Sequence, residues 1–315
     1  MNMFSLTNYP GHKSKLLSII IPLLPKCEVF YDVFSGSSVV GLSQSAPTVF
    51  IDSNPHLQNM YSHLSHPSFL AQLEEMIEQY GLTNSSRIPR KEYLKSDDVG
   101  FVTWKGERVK NFHLDNLNKG GYQQLLDDFN TGLMGTKLSQ ACAYLIANLY
   151  GRNSNCSYQS DKLFGSVGPL DFSVRAKKKL EQHQQVMQDR ELTWVCDEYD
   201  SINPGPADFV YLDPPYAASN FKYGGTWNAD DDCRLLEWVS QLPCKWLMSN
   251  TLQSGDRKNE QLLAWSQQYS VIEVDKTYRQ WFSKGSKSGG QKKNREVLIS
   301  QMALPDVTNM GQAVT

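Results

Sequence analysis

The segment Phe209-Val210-Tyr211-Leu212-Asp213-Pro214-Pro215-Tyr216 carries four apolar residues in a row, then a carboxylate, two prolines and an aromatic. The apolar run predicts a short buried strand. Proline cannot continue a central strand, so the strand ends at Leu212 and the turn behind it is rigid. In an open parallel sheet, ligands bind beyond the carboxyl ends of the strands, which points Asp213 into a crevice. An aspartate that only caps a turn before a proline is common. One that follows an apolar strand and precedes two prolines and an aromatic is a much narrower pattern.

Upstream, a helix over 12–24 ends at Pro25, and a strand over 29–33 follows. The tight turn Phe34-Ser35-Gly36-Ser37-Ser38 then leads to a helix from about Val39. A second strand, 48–52, ends in Asp52 and passes through Ser53-Asn54-Pro55 into a helix over 56–64. Strand, glycine turn, helix and a strand ending in an acid is the start of a parallel α/β sheet. Further strands are expected over 194–197, 209–212, 245–249, 271–275 and 296–300, with helices over 229–241 and 258–268. The intervening 67–188 reads as mostly helical or irregular. The expected organisation is therefore a sheet domain split in sequence, 1–56 with 190–303. A mainly helical domain, 57–189, is inserted in it, and 304–315 form a C-terminal tail.

With 315 residues, the chain can bury a full core. No apolar run is long enough to cross a bilayer; the longest, 16–24, is interrupted by Ser18 and Pro22. No basic start with a small-residue cleavage site marks a secretory signal. The six cysteines form no CxxC pair, and no histidine stands at zinc-finger spacing, so neither disulfides nor structural zinc are expected, and a reducing cytoplasm is the simplest setting. A net charge of −2 argues weakly against general nucleic-acid binding. Local distribution differs: Lys284, Lys287, Lys292, Lys293 and Arg295 put five positive charges and no negative one into a single run. A second cluster, Arg175-Ala176-Lys177-Lys178-Lys179, opens a helical stretch.

Asp213-Pro214-Pro215-Tyr216 resembles the catalytic motif of the DNA adenine-N6 methyltransferases. The resemblance implies that the Asp213 carboxylate and the Pro214 carbonyl accept the two N–H bonds of the target amine. It also implies that Tyr216 stacks on a base turned out of the duplex. The methyl donor would be S-adenosyl-L-methionine, and no metal is needed, because the sulfonium already supplies the positive charge. Phe34-Ser35-Gly36-Ser37-Ser38 is similar to the family's Phe-x-Gly-x-Gly donor turn, with Ser38 in place of the second glycine; glycine lets the backbone approach a ligand closely. Asp32 belongs to the same motif. Asp52 stands where an acid binds the ribose hydroxyls of a nucleoside; Ser53 or Asn54 is the better candidate to cap the following helix. Tyr9-Pro10-Gly11-His12-Lys13 resembles the family's aromatic-x-Gly-Gly-Lys segment, which gives Tyr9 and Lys13 a donor-contacting role. Tyr199, in Cys196-Asp197-Glu198-Tyr199, matches an aromatic that packs on the donor's adenine, and Ser249-Asn250 also match family positions.

The order of these motifs resembles the Dam branch of bacteria and phages, whose usual target is GATC. The fold implied is a Rossmann-like S-adenosylmethionine-dependent methyltransferase sheet with an inserted helical target-recognition domain. In that domain, 148–159 align with a DNA-contacting loop, which makes Arg152, Asn153 and Ser157 candidate DNA-binding residues, with Lys287, Lys292 and Lys293 in the basic run. Ser157 replaces the family's base-reading arginine, and serine cannot form the bidentate contact to guanine that gives about 1–3 kcal/mol of discrimination. The resemblance thus carries over the chemistry and leaves the recognition sequence open. The expected protein works on double-stranded DNA as a monomer or weak dimer in the cytoplasm of a bacterial or phage-infected cell. Competing readings are a catalytically weak or inactive DNA-binding homologue, and an amino-methyltransferase on cytosine N4 or an RNA base. An intact Asp213–Tyr216 segment argues against the first, and Asp rather than Ser at 213 against cytosine N4.

Overall fold

Side chains that alternate along short apolar strands build a sheet covered on both faces. The computed structural model describes residues 3–7, 11–89, 92, 101–104, 107–110, 114–152, 156–159, 162–216, 227–274 and 294–305. Among these the strands are β1 (Phe30–Val33), β2 (Thr48–Ile51), β3 (Phe101–Trp104), β4 (Glu107–Lys110), β5 (Ser157–Gln159) and β6 (Lys162–Phe164). They continue with β7 (Leu192–Val195), β8 (Phe209–Leu212), β9 (Lys245–Ser254), β10 (Arg257–Lys258), β11 (Ser270–Val274) and β12 (Asn294–Ser300). The main sheet has the order β11-β12-β9-β8-β1-β2-β7, and β10 pairs with β9. From β7 to β9 the strands are parallel; β12 and then β11 join antiparallel. β3–β4 and β5–β6 form separate antiparallel hairpins.

All four residues of β8 are buried, which is why its sequence is continuously apolar rather than alternating. Phe209 and Tyr211 enter one apolar layer and Val210 and Leu212 the other. The first layer also takes Phe30, stacked on Phe209 with ring centroids 5.7 Å apart. It receives apolar faces of α1 (Leu17–Ile20), α2 (Pro55–His63), α3 (Phe69–Gln79), α4 (Asp115–Asn130), α5 (Lys137–Tyr150) and α6 (Val174–Met187). The second layer is closed by α7 (Ala229–Ser240) and α8 (Glu260–Ser266). No helix among the described residues is long and apolar enough to cross a membrane.

Most expected elements are present, with physically intelligible exceptions. The 12–24 helix is broken into a 3-10 turn, α1 and a second 3-10 turn, Ile21–Leu23, that contains Pro22. The helix expected from Val39 is only a 3-10 turn, Gly41–Ser43. Ser38 before it has φ 56, and the Asp32 carboxylate takes the Gly41 N–H at 2.8 Å, so a regular helix cannot start. β9 runs past 249 to Ser254 because its polar residues pair with β12 and β10.

The connections create the crevice. From β1 the chain moves to β2 on one side, whereas β8 lies on β1's other side. The connections that leave the carboxyl ends of β1 and β8 therefore diverge, which makes a topological switch point, where open α/β sheets bind ligands. Asn54 caps α2, accepting from the N–H groups of His56 and Leu57 at 3.1 and 3.2 Å, which leaves Asp52 free of the capping role.

His183 on α6 is fully buried, with Nδ1 2.8 Å from the Lys179 carbonyl oxygen, so the neutral ring carries its proton on Nδ1. Burial pushes its pKa down to about 4, and the Lys179 charge acts the same way against the opposing carbonyl bond. A depressed histidine pKa means that the unfolded chain binds more protons below its ordinary titration near pH 6.5. Stability is full above that pH and is lost as pH falls toward 4. Relative to His183→Gln, the wild type should lose about 2 kcal/mol between pH 7 and pH 5, read from urea melts at each pH.

Candidate active site

Asp213 leaves β8 at the switch point, its backbone N–H bonded to the Val33 carbonyl at 3.2 Å. Its side chain is fixed from two directions. Lys13 donates to Oδ2 from a position 3% exposed, and also donates to the Gly11 carbonyl at 2.9 Å. The Tyr216 hydroxyl donates to Oδ1 at 2.9 Å. The Lys13 ammonium lies 5.3 Å from the centre of the Tyr216 ring, within cation–π range. Burial and the Asp213 charge, with Glu296 adding to it, push the Tyr216 hydroxyl's pKa well up, so the phenol stays a donor. An ion pair so covered contributes little net stability, yet removing one partner costs on the order of 3–5 kcal/mol because the other is left desolvated. Its value is positional: a carboxylate of fixed direction, 20% exposed, at the edge of the crevice.

Across the switch point, the turn after β1 is wound tightly. Phe34 and Ser38 have φ of 59 and 56, and Gly36 has φ 44 between them. Asp52, after β2, accepts from Gly36 N–H at 3.0 Å through Oδ2 and from Asn54 N–H at 3.0 Å through Oδ1. Burial raises the Asp52 pKa, and these two N–H bonds oppose the rise. Asp32 acts from underneath: it is buried, holds Gly41 N–H, and burial pushes its pKa well up. A Cβ at Gly41 would come within 2.8 Å of that carboxylate and 2.4 Å of the Phe50 ring, so the position admits only glycine.

Aromatic rings line the neighbouring wall. Phe34 lies 5.5 Å from Tyr199 and 5.5 Å, edge-on, from Trp227, while Tyr199 contacts Trp238 at 5.3 Å. Together with Asp52 and the Gly36 backbone, this gives an apolar flank beside an acidic, amide-rimmed end. A nucleoside presents the same two characters, a planar base and a hydroxyl-bearing sugar.

The model of the D12 class N6 adenine-specific DNA methyltransferase family matches residues 9–280. This chain belongs to that family. Similar curated methylases include the type II methyltransferase M.FokI of Planomicrobium okeanokoites, 26% identical over 310 residues. The modification methylase StsI of Streptococcus sanguinis is 27% identical over 312 residues. These two alignments cover 93% of this chain and 42% of each relative, so the chain spans about two-fifths of their length. The modification methylase LlaI of Lactococcus lactis subsp. lactis is 23% identical over 276 residues, 83% of this chain and 39% of that protein.

In this D12-class chain, the structure brings Lys13, Asp213, Pro214 and Tyr216 into one cluster, and Phe34, Gly36, Asp52 and Tyr199 into another around the same switch point. Ser249 and Asn250 are buried on β9. Arg152 and Ser157 lie apart from both clusters in their contacts. Arg152 is exposed and pairs with Asp115 on α4 at 3.6 Å, and the Ser157 hydroxyl donates to the Phe164 carbonyl across the β5–β6 hairpin at 3.3 Å. Asn130 at the end of α4 clasps that hairpin, bonding both backbone groups of Leu163 at 2.9 and 2.7 Å. Tyr9, Asn153, Lys287, Lys292 and Lys293 fall outside the described residues. Sequence reasoning missed Gly41 and Trp227; neither has a local signal, since what matters in each is a contact distant in sequence.

Ser38 sits where the family turn has a glycine and adopts a left-handed backbone that favours glycine. Ser38→Gly should raise unfolding free energy by about 0.5–1 kcal/mol, the relieved strain exceeding the added chain entropy. A denaturant titration checks this, and equal or lower stability would count against strain at the turn.

Proposed function

We propose that this chain transfers a methyl group from S-adenosyl-L-methionine to N6 of an adenine turned out of double-stranded DNA. The observation that carries the reading is the Asp213 carboxylate, pinned by Lys13 and Tyr216 on one side of a switch point whose other side holds Phe34, Gly36 and Asp52. The donor fits these residues: Asp52 keeps lone pairs for ribose hydroxyls, and Phe34, Tyr199 and Trp227 offer apolar surface to adenine. When bound, the donor supplies an electrophilic methyl carbon on a cationic sulfur.

The remaining work is placement by the chain's own groups. Asp213 accepts one N–H of the target amine and the Pro214 carbonyl the other, which directs the nitrogen lone pair across the crevice. Lys13 holds the carboxylate in place by donating to Oδ2. Its ammonium lies 5.3 Å from the centre of the Tyr216 ring, and in this reading that ring stacks on the base. Asp32 shapes the turn from below by holding Gly41. The helices and hairpins between 57 and 189 form the target-recognition part, with Arg152, Asn153 and Ser157 toward the DNA, and Lys287, Lys292 and Lys293 adding phosphate contacts. The sheet residues of 1–56 and 190–303 form the catalytic part.

Expression in a host free of adenine methylation, followed by sequencing that reports N6-methyladenine, should show methylation at one recurring sequence context. Asp213→Ala should lower transfer of labelled methyl to duplex DNA by about 100-fold or more, the effect of losing one preorganised polar group. Donor binding by calorimetry with no adenine methylated would count against this reading, and no binding of S-adenosyl-L-methionine would favour a DNA-binding homologue. Methyl found on another base would favour the other amino-methyltransferase reading.

A further inference from the structure

Trp227 stands one residue before the cap of α7, and the structure fixes it more firmly than an aromatic filling space requires. Asn228 caps the helix, with Oδ1 accepting from Asp230 N–H at 2.8 Å and Asp231 Oδ2 accepting from Asn228 N–H at 2.9 Å. That capping box sets the backbone at which the indole emerges. The residue before a cap commonly packs against the fourth helical residue through an apolar contact. Here the fourth residue is Asp232, 3% exposed, and its Oδ1 accepts the Trp227 indole N–H at 2.6 Å. The other oxygen accepts from Asn259 Nδ2 at 2.6 Å, and Asn259 Oδ1 caps α8 by accepting Leu262 N–H at 3.0 Å. A buried carboxylate is costly to desolvate unless its oxygens are engaged. Here one indole and the cap of α8 engage them.

The indole so held is edge-on to Phe34 at 5.5 Å and 6.3 Å from Tyr199. We propose that Asp232 is a positioning residue for donor recognition: by clamping the Trp227 indole, it sets the width of the slot that Phe34 and Tyr199 share. The assignment rests on the proposed function and deepens it. Asp232 acts through Trp227, and Asn259 orients Asp232.

The test is an exchange of chemistry between 232 and 259. Asp232→Asn alone places an amide NH₂ against either the indole N–H or the Asn259 NH₂, so one bond must fail. Asp232→Asn with Asn259→Asp keeps all three bonds. The new amide accepts from the indole and donates to the new carboxylate, which still caps α8. Calorimetry with S-adenosyl-L-methionine and steady-state kinetics on duplex DNA should show donor Kd and KM raised about tenfold by Asp232→Asn and by Trp227→Phe, as expected for loss of one hydrogen bond to a charged group. The KM for DNA should change less than about twofold, since the clamp touches only the donor wall. The double exchange should return donor affinity to within about threefold of wild type. If the single variants lose thermal stability but bind the donor as wild type does, or the double exchange restores folding without affinity, the clamp is structural and the inference is overturned. If the wild-type chain itself binds no S-adenosyl-L-methionine, the proposed function falls, and this inference falls with it.

Discussion

The Asp213 carboxylate has one oxygen on a buried ammonium and the other on a phenol hydroxyl, and the rest of the site takes its geometry from that arrangement. Proline cannot extend β8, so the strand delivers the carboxylate and stops. Lys13 comes from a segment 200 residues away in sequence, which ties the Lys13–Lys15 3-10 turn to the end of β8. Buried ion pairs of this kind are poor sources of stability, and their placement beside a crevice is better understood as keeping a hydrogen-bond acceptor aimed.

The opposite wall depends on a second constraint, a turn wound into left-handed backbone at Phe34 and Ser38. Asp52 holds it from the side through Gly36 and Asp32 from below through Gly41. Both acids are raised in pKa by burial while their N–H partners oppose the rise, so each carboxylate is matched to the amide it holds. The same turn ends the expected helix after one 3-10 turn, so local strain at the crevice and the departure from regular structure have one cause.

Much of this was legible in the sequence. Phe209–Leu212 announced a strand buried on both faces, the prolines marked its end, and Asn54-Pro55 announced a capped helix. The D12-class motifs at 34–38, 52 and 213–216 were found because each is compact and local. Contacts that join distant segments were not legible. Nothing near Lys13 specifies Asp213 as its partner, although the resemblance had drawn attention to the lysine. Trp227 reads as an ordinary loop aromatic until Asp232 and Asn259 are seen around its indole. β5 and β6 have three residues each, too short for a two-residue period to show, and the β-forming run Phe101–Trp104 is followed by the charged strand Glu107–Lys110. Beyond 249, β9 has Leu252 as its one apolar residue, and Asn250 and Thr251 are buried beside it without an apolar signal.

The central claim is that a nucleoside hollow and a fixed carboxylate face each other across the β1–β8 switch point. A crystal structure of the chain with S-adenosyl-L-homocysteine tests it most directly. The account predicts ribose hydroxyls on Asp52, adenine beside Phe34 and Tyr199, and the thioether sulfur facing Asp213 with Lys13 and Tyr216 still attached to it. A ligand seated elsewhere, or a donor in this hollow with Asp213 turned away from it, would contradict the account.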